Sequence, residues 1–169
     1  IKNYLDFDHP HQINIRKVFS KFTEDIIPKK HYGIDGCSAP QYAFSIKQLG
    51  KALSNLLKSY KGKFDYSENV RLIINSILNN PKFIGGSNNL DSNLIKISNK
   101  NIFCKGGAEG VFLFVNLKKG IFGILKVKDG NERALPSAIY ALMKKFRILN
   151  KEELNKFLYW NKSILYNHA

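Results

Sequence analysis

Cysteine is nearly missing from this sequence. Cys37 and Cys104 are the only two, too few for a disulfide scaffold, and a reducing cytoplasm is the expected home. No apolar run approaches the ~20 residues that a membrane-spanning helix needs. The opening Ile1-Lys2-Asn3-Tyr4-Leu5-Asp6 lacks a signal-peptide core, so no membrane partner is expected. Acidic residues are scarce: 13 Asp and Glu stand against 27 Lys and Arg, a net charge of +14. An excess of that size points first to a polyanion. Arginine, however, is confined to Arg16, Arg71, Arg133 and Arg147, and arginine is the usual bidentate reader of phosphate and guanine. The lysines are spread along the chain, grouped at most in pairs such as Lys29-Lys30, Lys118-Lys119 and Lys144-Lys145. With abundant Asn and Ile they form the trio an AT-rich genome encodes. A solvated basic surface is therefore expected, with no specific nucleic-acid partner. Four signatures of chemistry are absent as well: Gly-x-Ser-x-Gly, Ser-x-x-Lys, His-Glu-x-x-His and the Walker A loop. A self-sufficient serine hydrolase is hard to build from these residues.

What the chain does have is apolar material. At 169 residues, 44% hydrophobic and 12% aromatic, it can bury a domain-sized core, which excludes global disorder. Its first residue is Ile1 rather than Met, which reads as a fragment or a trimmed chain. Asp8-His9-Pro10 marks a helix start with Asp8 as cap, and Ile15, Val18, Phe19, Phe22 and Ile26 share one helical face up to Pro28. A Gly- and Pro-rich strand-to-loop segment follows over residues 32–40. A second helix is expected over residues 45–60, and a third is expected to start from Ser67 as cap, with Val70, Ile73, Ile74, Ile77 and Leu78 inward. Beyond Pro81 the pattern changes to strands at Ile95-Lys96-Ile97, Ile102-Phe103-Cys104, 110–117 and 121–128. The last two are joined by the turn Lys118-Lys119-Gly120. A helix with Leu135, Ile139 and Leu142 on one face comes next, and Asn150-Lys-Glu-Glu153 forms a capping box for a last short helix. Helices, then consecutive strands, then helices imply α+β with an antiparallel sheet and flanking helices.

Two segments are dense in reactive groups. In Gly33-Ile34-Asp35-Gly36-Cys37-Ser38-Ala39-Pro40, an extended backbone would put Asp35 and Cys37 on one face. A carboxylate beside a thiol can ligate a metal or serve catalysis. An Asp-Gly turn with a buried structural cysteine is the alternative, and spacing alone favours it. In Phe103-Cys104-Lys105-Gly106-Gly107-Ala108-Glu109-Gly110, a cation followed by small residues at a strand edge can hold a substrate carboxylate or activate a nucleophile. A solvent-facing Lys before a Gly-rich bend is the plainer alternative. Cys104, after Ile102 and Phe103, reads as a core thiol.

In this order the two segments resemble the rhizobial-type L-asparaginases, the asparaginase II family. Lys126-Val-Lys-Asp-Gly130 with Arg133-Ala134, Asp8-His9-Pro10-His11-Gln12, and Pro81-Lys-Phe-Ile-Gly85 followed by Asp91 extend the match over nearly the whole chain. The resemblance implies that residues 1–169 are the C-terminal half of the domain. The family's Ser-x-x-Lys, its second catalytic Ser and its Asn-Asn-Cys-Ser-Gly-Lys-His stretch belong to the N-terminal half. It further implies a fold similar to the serine β-lactamases and glutaminases, and hydrolysis of L-asparagine to L-aspartate and ammonia. By position, Cys37 matches a thiolate ligand of one zinc ion whose other ligands lie outside this chain. Asp35 matches the carboxylate beside that metal, and Lys105 the active-site lysine. The implied partner is the small molecule L-asparagine, with a homodimer or a complementing N-terminal half as protein partner. A non-catalytic basic binding domain that keeps the fold, and a half-protein that works only when completed, are the alternative readings.

Overall fold

The computed structural model describes residues 3–36 and 38–161, and they fold as α+β. The chain divides into two units, one up to Asp65 and one from Tyr66 onward.

In the first unit, helix α1 (Pro10–Thr23) and helix α2 (Ile46–Tyr60) pack together, with a hairpin of β1 (Tyr32–Ile34) and β2 (Pro40–Tyr42) between them in sequence. The cap of α1 is His9 rather than Asp8: its Nδ1 accepts from the His11 amide at 3.1 Å. Pro10 then takes the first helical position, where no backbone donor is required. The helix stops at Thr23, short of Pro28, because Glu24 turns into the left-handed region at φ 55°. Ile26 therefore leaves the expected apolar face and stands 81% exposed. Helix α2 opens with a complete capping box between Ser45 and Gln48. It buries Leu53 and Leu57 together with two polar groups, Asn55 and Ser59. Asn55 donates to the Phe22 carbonyl and to Glu24, and Ser59 to the Asp65 carbonyl, so neither polar group loses hydrogen bonds on burial.

The second unit begins with α3 (Ser67–Asn79), whose buried residues Val70, Ile74 and Leu78 repeat every four positions. Its cap is Tyr66, in a left-handed conformation at φ 59°, with Ser67 already inside the helix. A one-turn α4 (Lys82–Gly85) leads to α5 (Leu90–Ile97). The triplet Ile95-Lys96-Ile97, expected as a strand, is the end of α5. Three alternating residues cannot separate strand from buried helix, and here the Asn89 cap decides: its Oδ1 accepts from the Asp91 amide. Three antiparallel strands follow in chain order, β3 (Ile102–Gly107), β4 (Val111–Asn116) and β5 (Ile121–Lys126). Lys105 pairs with Leu113, and Phe114 with Gly123. The β4–β5 turn closes on Gly120 at φ 72°. Helices α6 (Leu135–Lys145) and α7 (Lys151–Phe157) complete the unit, α7 behind the expected Asn150–Glu153 capping box. Ile95, Ile102, Cys104, Phe112, Ile139, Met143 and Phe157 are wholly buried. That core fixes the register of β3 and decides which of its side chains face out.

Candidate active site

On β3 the side chains alternate. Ile102 and Cys104 are buried, while Lys105 faces outward with 47% of its side chain exposed. The strand lies against α5, and the polar ties between them run through one residue of the helix, Asp91. Asp91 is 3% exposed, a cost that a carboxylate bears only when it is paired and hydrogen-bonded. Its Oδ2 accepts from the Gly106 amide at 2.9 Å and lies 3.5 Å from the Lys105 ammonium. Its place in the first turn of α5 adds the favourable field of a helix N-terminus. Lys105 also donates to the Gly106 carbonyl. A side chain at position 106 would put Cβ 3.3 Å from Asp91 Oδ1, so the bare glycine allows the carboxylate to reach the strand.

Lys105, Asp91, Gly106, Gly107, Asn89 and Glu132 are among the residues around a cavity of about 310 Å³. That is the small end of the range for ligand sites, and its wall combines one cation, two carboxylates, an amide and bare backbone. Cys104, next in sequence to Lys105, takes no part. It is wholly buried, and its thiol donates to the Asp91 carbonyl at 3.5 Å. Burial pushes its pKa well up, with the Asp91 charge adding to the rise. A thiol kept protonated is a poor nucleophile and a poor ligand.

The third matched stretch supports the mouth of this cavity. The Lys126 ammonium donates to the carbonyls of Glu109 (2.8 Å) and Val127 (2.7 Å). The Val127 amide donates to the Gly110 carbonyl. Asp129 accepts from the Asn131 amide and pairs with Arg133 at 3.2 Å. These contacts tie the 108–110 bend to the segment that carries Glu132. The two matched stretches, sixteen or more positions apart in sequence, thus form one piece of backbone.

Asp35 lies in the first unit, in the loop between β1 and β2, where the chain is a turn rather than an extended strand. Its amide donates to the Ala39 carbonyl, and the Asp35 carbonyl accepts from the Ser38 amide. Its Oδ1 accepts from the Ala39 amide and its Oδ2 from Gln41 Nε2, both at 2.9 Å. Cys37 itself lies outside the described residues. Among the described residues no three His, Cys, Asp or Glu side chains gather as a metal site, so this chain's described donors do not make a zinc centre by themselves. Asp91 closes the matched stretch that begins with Pro81–Gly85 in the sequence, but no role there points to Lys105; the signal available was Asn89-x-Asp91, a helix cap two residues ahead of an acid.

No helix among the described residues is long and apolar enough to cross a membrane. Comparison with curated proteins gives no match. The family model for L-asparaginase II, by contrast, matches residues 1–169, the whole chain, and the protein belongs to that family.

Proposed function

We propose that this chain supplies part of the site of an L-asparaginase, the reaction being L-asparagine plus water to L-aspartate plus ammonia. The observation that carries this reading is the Lys105 ammonium, held by Asp91 and the Gly106 carbonyl at the edge of a polar cavity. An ammonium has three N–H donors, and with two oxygens engaging it a donor remains for a ligand. That cation can hold the α-carboxylate of asparagine, or stabilise the alkoxide of an attacking serine. Serine attack on the side-chain carboxamide would release ammonia, and water would then cleave the resulting ester to give aspartate. A lysine followed by glycines at the start of an antiparallel strand set is similar to the Lys-Thr-Gly strand of serine β-lactamases, and we assign the fold to that group. The role that family membership suggests for Asp35, whose oxygens accept from the Ala39 amide and Gln41 Nε2, is a carboxylate beside a zinc ion.

The sequence contains no Ser-x-x-Lys, so the nucleophile is assigned to a segment outside these 169 residues, residues 1–169 being the C-terminal half of the domain. The expected result is that the 169-residue chain alone releases no ammonia from L-asparagine above background. Joined to a family N-terminal half, it turns the amide over. Turnover by the purified chain alone would mean that another nucleophile resides here.

Zinc is assigned to Cys37 alone among this chain's residues, with its remaining ligands outside the chain, and no step of the hydrolysis is routed through it. Such an ion takes three protein ligands plus an open position in catalytic sites, and four protein ligands in structural ones. The separate chain is therefore expected to bind zinc weakly or not at all. In the completed protein, Cys37→Ser should lower zinc occupancy and raise the KM for asparagine. Metal analysis that finds stoichiometric zinc on the separate chain, or full occupancy after Cys37→Ser, would overturn the assignment.

A further inference from the structure

Three successive residues of β3 are tied to a single residue of α5. The Cys104 thiol donates to the Asp91 carbonyl, the Lys105 ammonium faces Asp91 Oδ2, and the Gly106 amide donates to the same oxygen. The Asp91 amide, in turn, is taken by Asn89 Oδ1. The residue is 3% exposed, and it lines the cavity. A strand and a helix can be joined by apolar packing alone, and Leu94, Ile95, Ile102 and Cys104 already provide it, all four wholly buried. A buried carboxylate adds a desolvation cost to that joint. Its compensation is local to the Lys105–Gly106 step, where the strand edge meets the cavity.

We propose that Asp91 is the positioning residue for Lys105, a role that rests on the reading of Lys105 as the substrate-facing cation. The carboxylate does two things at once. It pins the Gly106 amide, which fixes the backbone on which Lys105 stands. It also faces the ammonium at 3.5 Å, longer than a tight N⁺–H···O⁻ bond. The lysine is thus aimed and partly neutralised without being withdrawn from the cavity. An uncharged acceptor at position 91 could still hold the Gly106 amide, but it would attract the cation less than a carboxylate does. Gly106 belongs to the same device, because its missing Cβ leaves the space that Asp91 Oδ1 fills.

The test separates these two jobs and needs no turnover, so its failure is distinct from failure of the asparaginase reading. The chain and its Asp91→Asn variant are treated with a limiting amount of acetic anhydride at one fixed pH. Acetylation of Lys105 is then measured by mass spectrometry against Lys118 as internal reference. Asn keeps an oxygen for the Gly106 amide and removes only the charge. The expected result is a Lys105 rate raised about threefold relative to Lys118, the factor for releasing a half-exposed ion pair, with the thermal unfolding midpoint of the variant close to that of the parent chain. Should Asp91→Asn fail to fold, Gly106→Ala displaces the same carboxylate by a few tenths of an ångström and should raise the Lys105 rate in the same direction. A Lys105 rate unchanged in a folded Asp91→Asn chain, or in folded Gly106→Ala, would overturn the proposal and leave Asp91 as a strand-to-helix tie only.

Discussion

Lys105→Met should lower kcat/KM for L-asparagine in the completed enzyme by about 10²–10³-fold, the usual loss when one preorganised donor is taken from a developing or bound anion. Methionine keeps the length of the stem and removes the ammonium. The side chain is 47% exposed, so its loss should leave the fold intact. The one cost is Asp91, a buried carboxylate that loses the nearest cation while keeping the Gly106 amide. Lys118→Met serves as the control for net charge: Lys118 is exposed on the β4–β5 turn and is not among the residues around the cavity, and its removal should leave kcat/KM within about twofold, as for a surface substitution. A Lys105→Met enzyme with full activity would remove the central residue from the proposed site.

Gly110→Ala should destabilise the protein by about 3 kcal/mol, combining a left-handed backbone penalty with overpacking. Gly110 sits at φ +67°, and a Cβ placed there would lie 2.7 Å from Val127 Cβ and 3.0 Å from its Cγ2. Neither atom is the far end of a flexible side chain. The bend also cannot drift away, because the Val127 amide donates to the Gly110 carbonyl and Lys126 donates to the Glu109 carbonyl. Urea denaturation measures the effect. Adding Val127→Ala removes the Cγ2 contact but keeps the Cβ at 2.7 Å, so it should recover only a minor part of the loss. A loss below about 1 kcal/mol, within reach of an ordinary substitution, would show that the bend is less constrained than its geometry implies.

The parts of this fold that were legible in the sequence are those where one local rule acts without competition. The Asn150–Glu153 capping box and the antiparallel strands closed at Gly120 are of this kind; of the face expected on α3, Val70, Ile74 and Leu78 are buried, while Ile73 stands 58% exposed. Expectations failed where two rules met. Asp8 and His9 are both able to accept from a helix amide, and the structure uses His9. Ile95-Lys96-Ile97 alternates as a strand does, yet the Asn89 cap and tertiary burial of adjacent Leu94 and Ile95 make it helix. Of the site, Lys105 was legible as a cation before glycines at a strand edge. Its partner was not, because Asp91 reaches it across fourteen positions through a glycine whose role is to be empty. Asp35 was legible as an Asp-Gly turn, and the turn is what the structure contains.

The most direct measurement is a structure of the completed, active protein with L-aspartate bound. The account predicts that the α-carboxylate of the product lies within hydrogen-bonding distance of Lys105 Nζ, in the cavity bounded by Gly106 and Gly107, with Asp91 still on the Gly106 amide. Product bound elsewhere, with Lys105 touching only Asp91 and the Gly106 carbonyl, would contradict it.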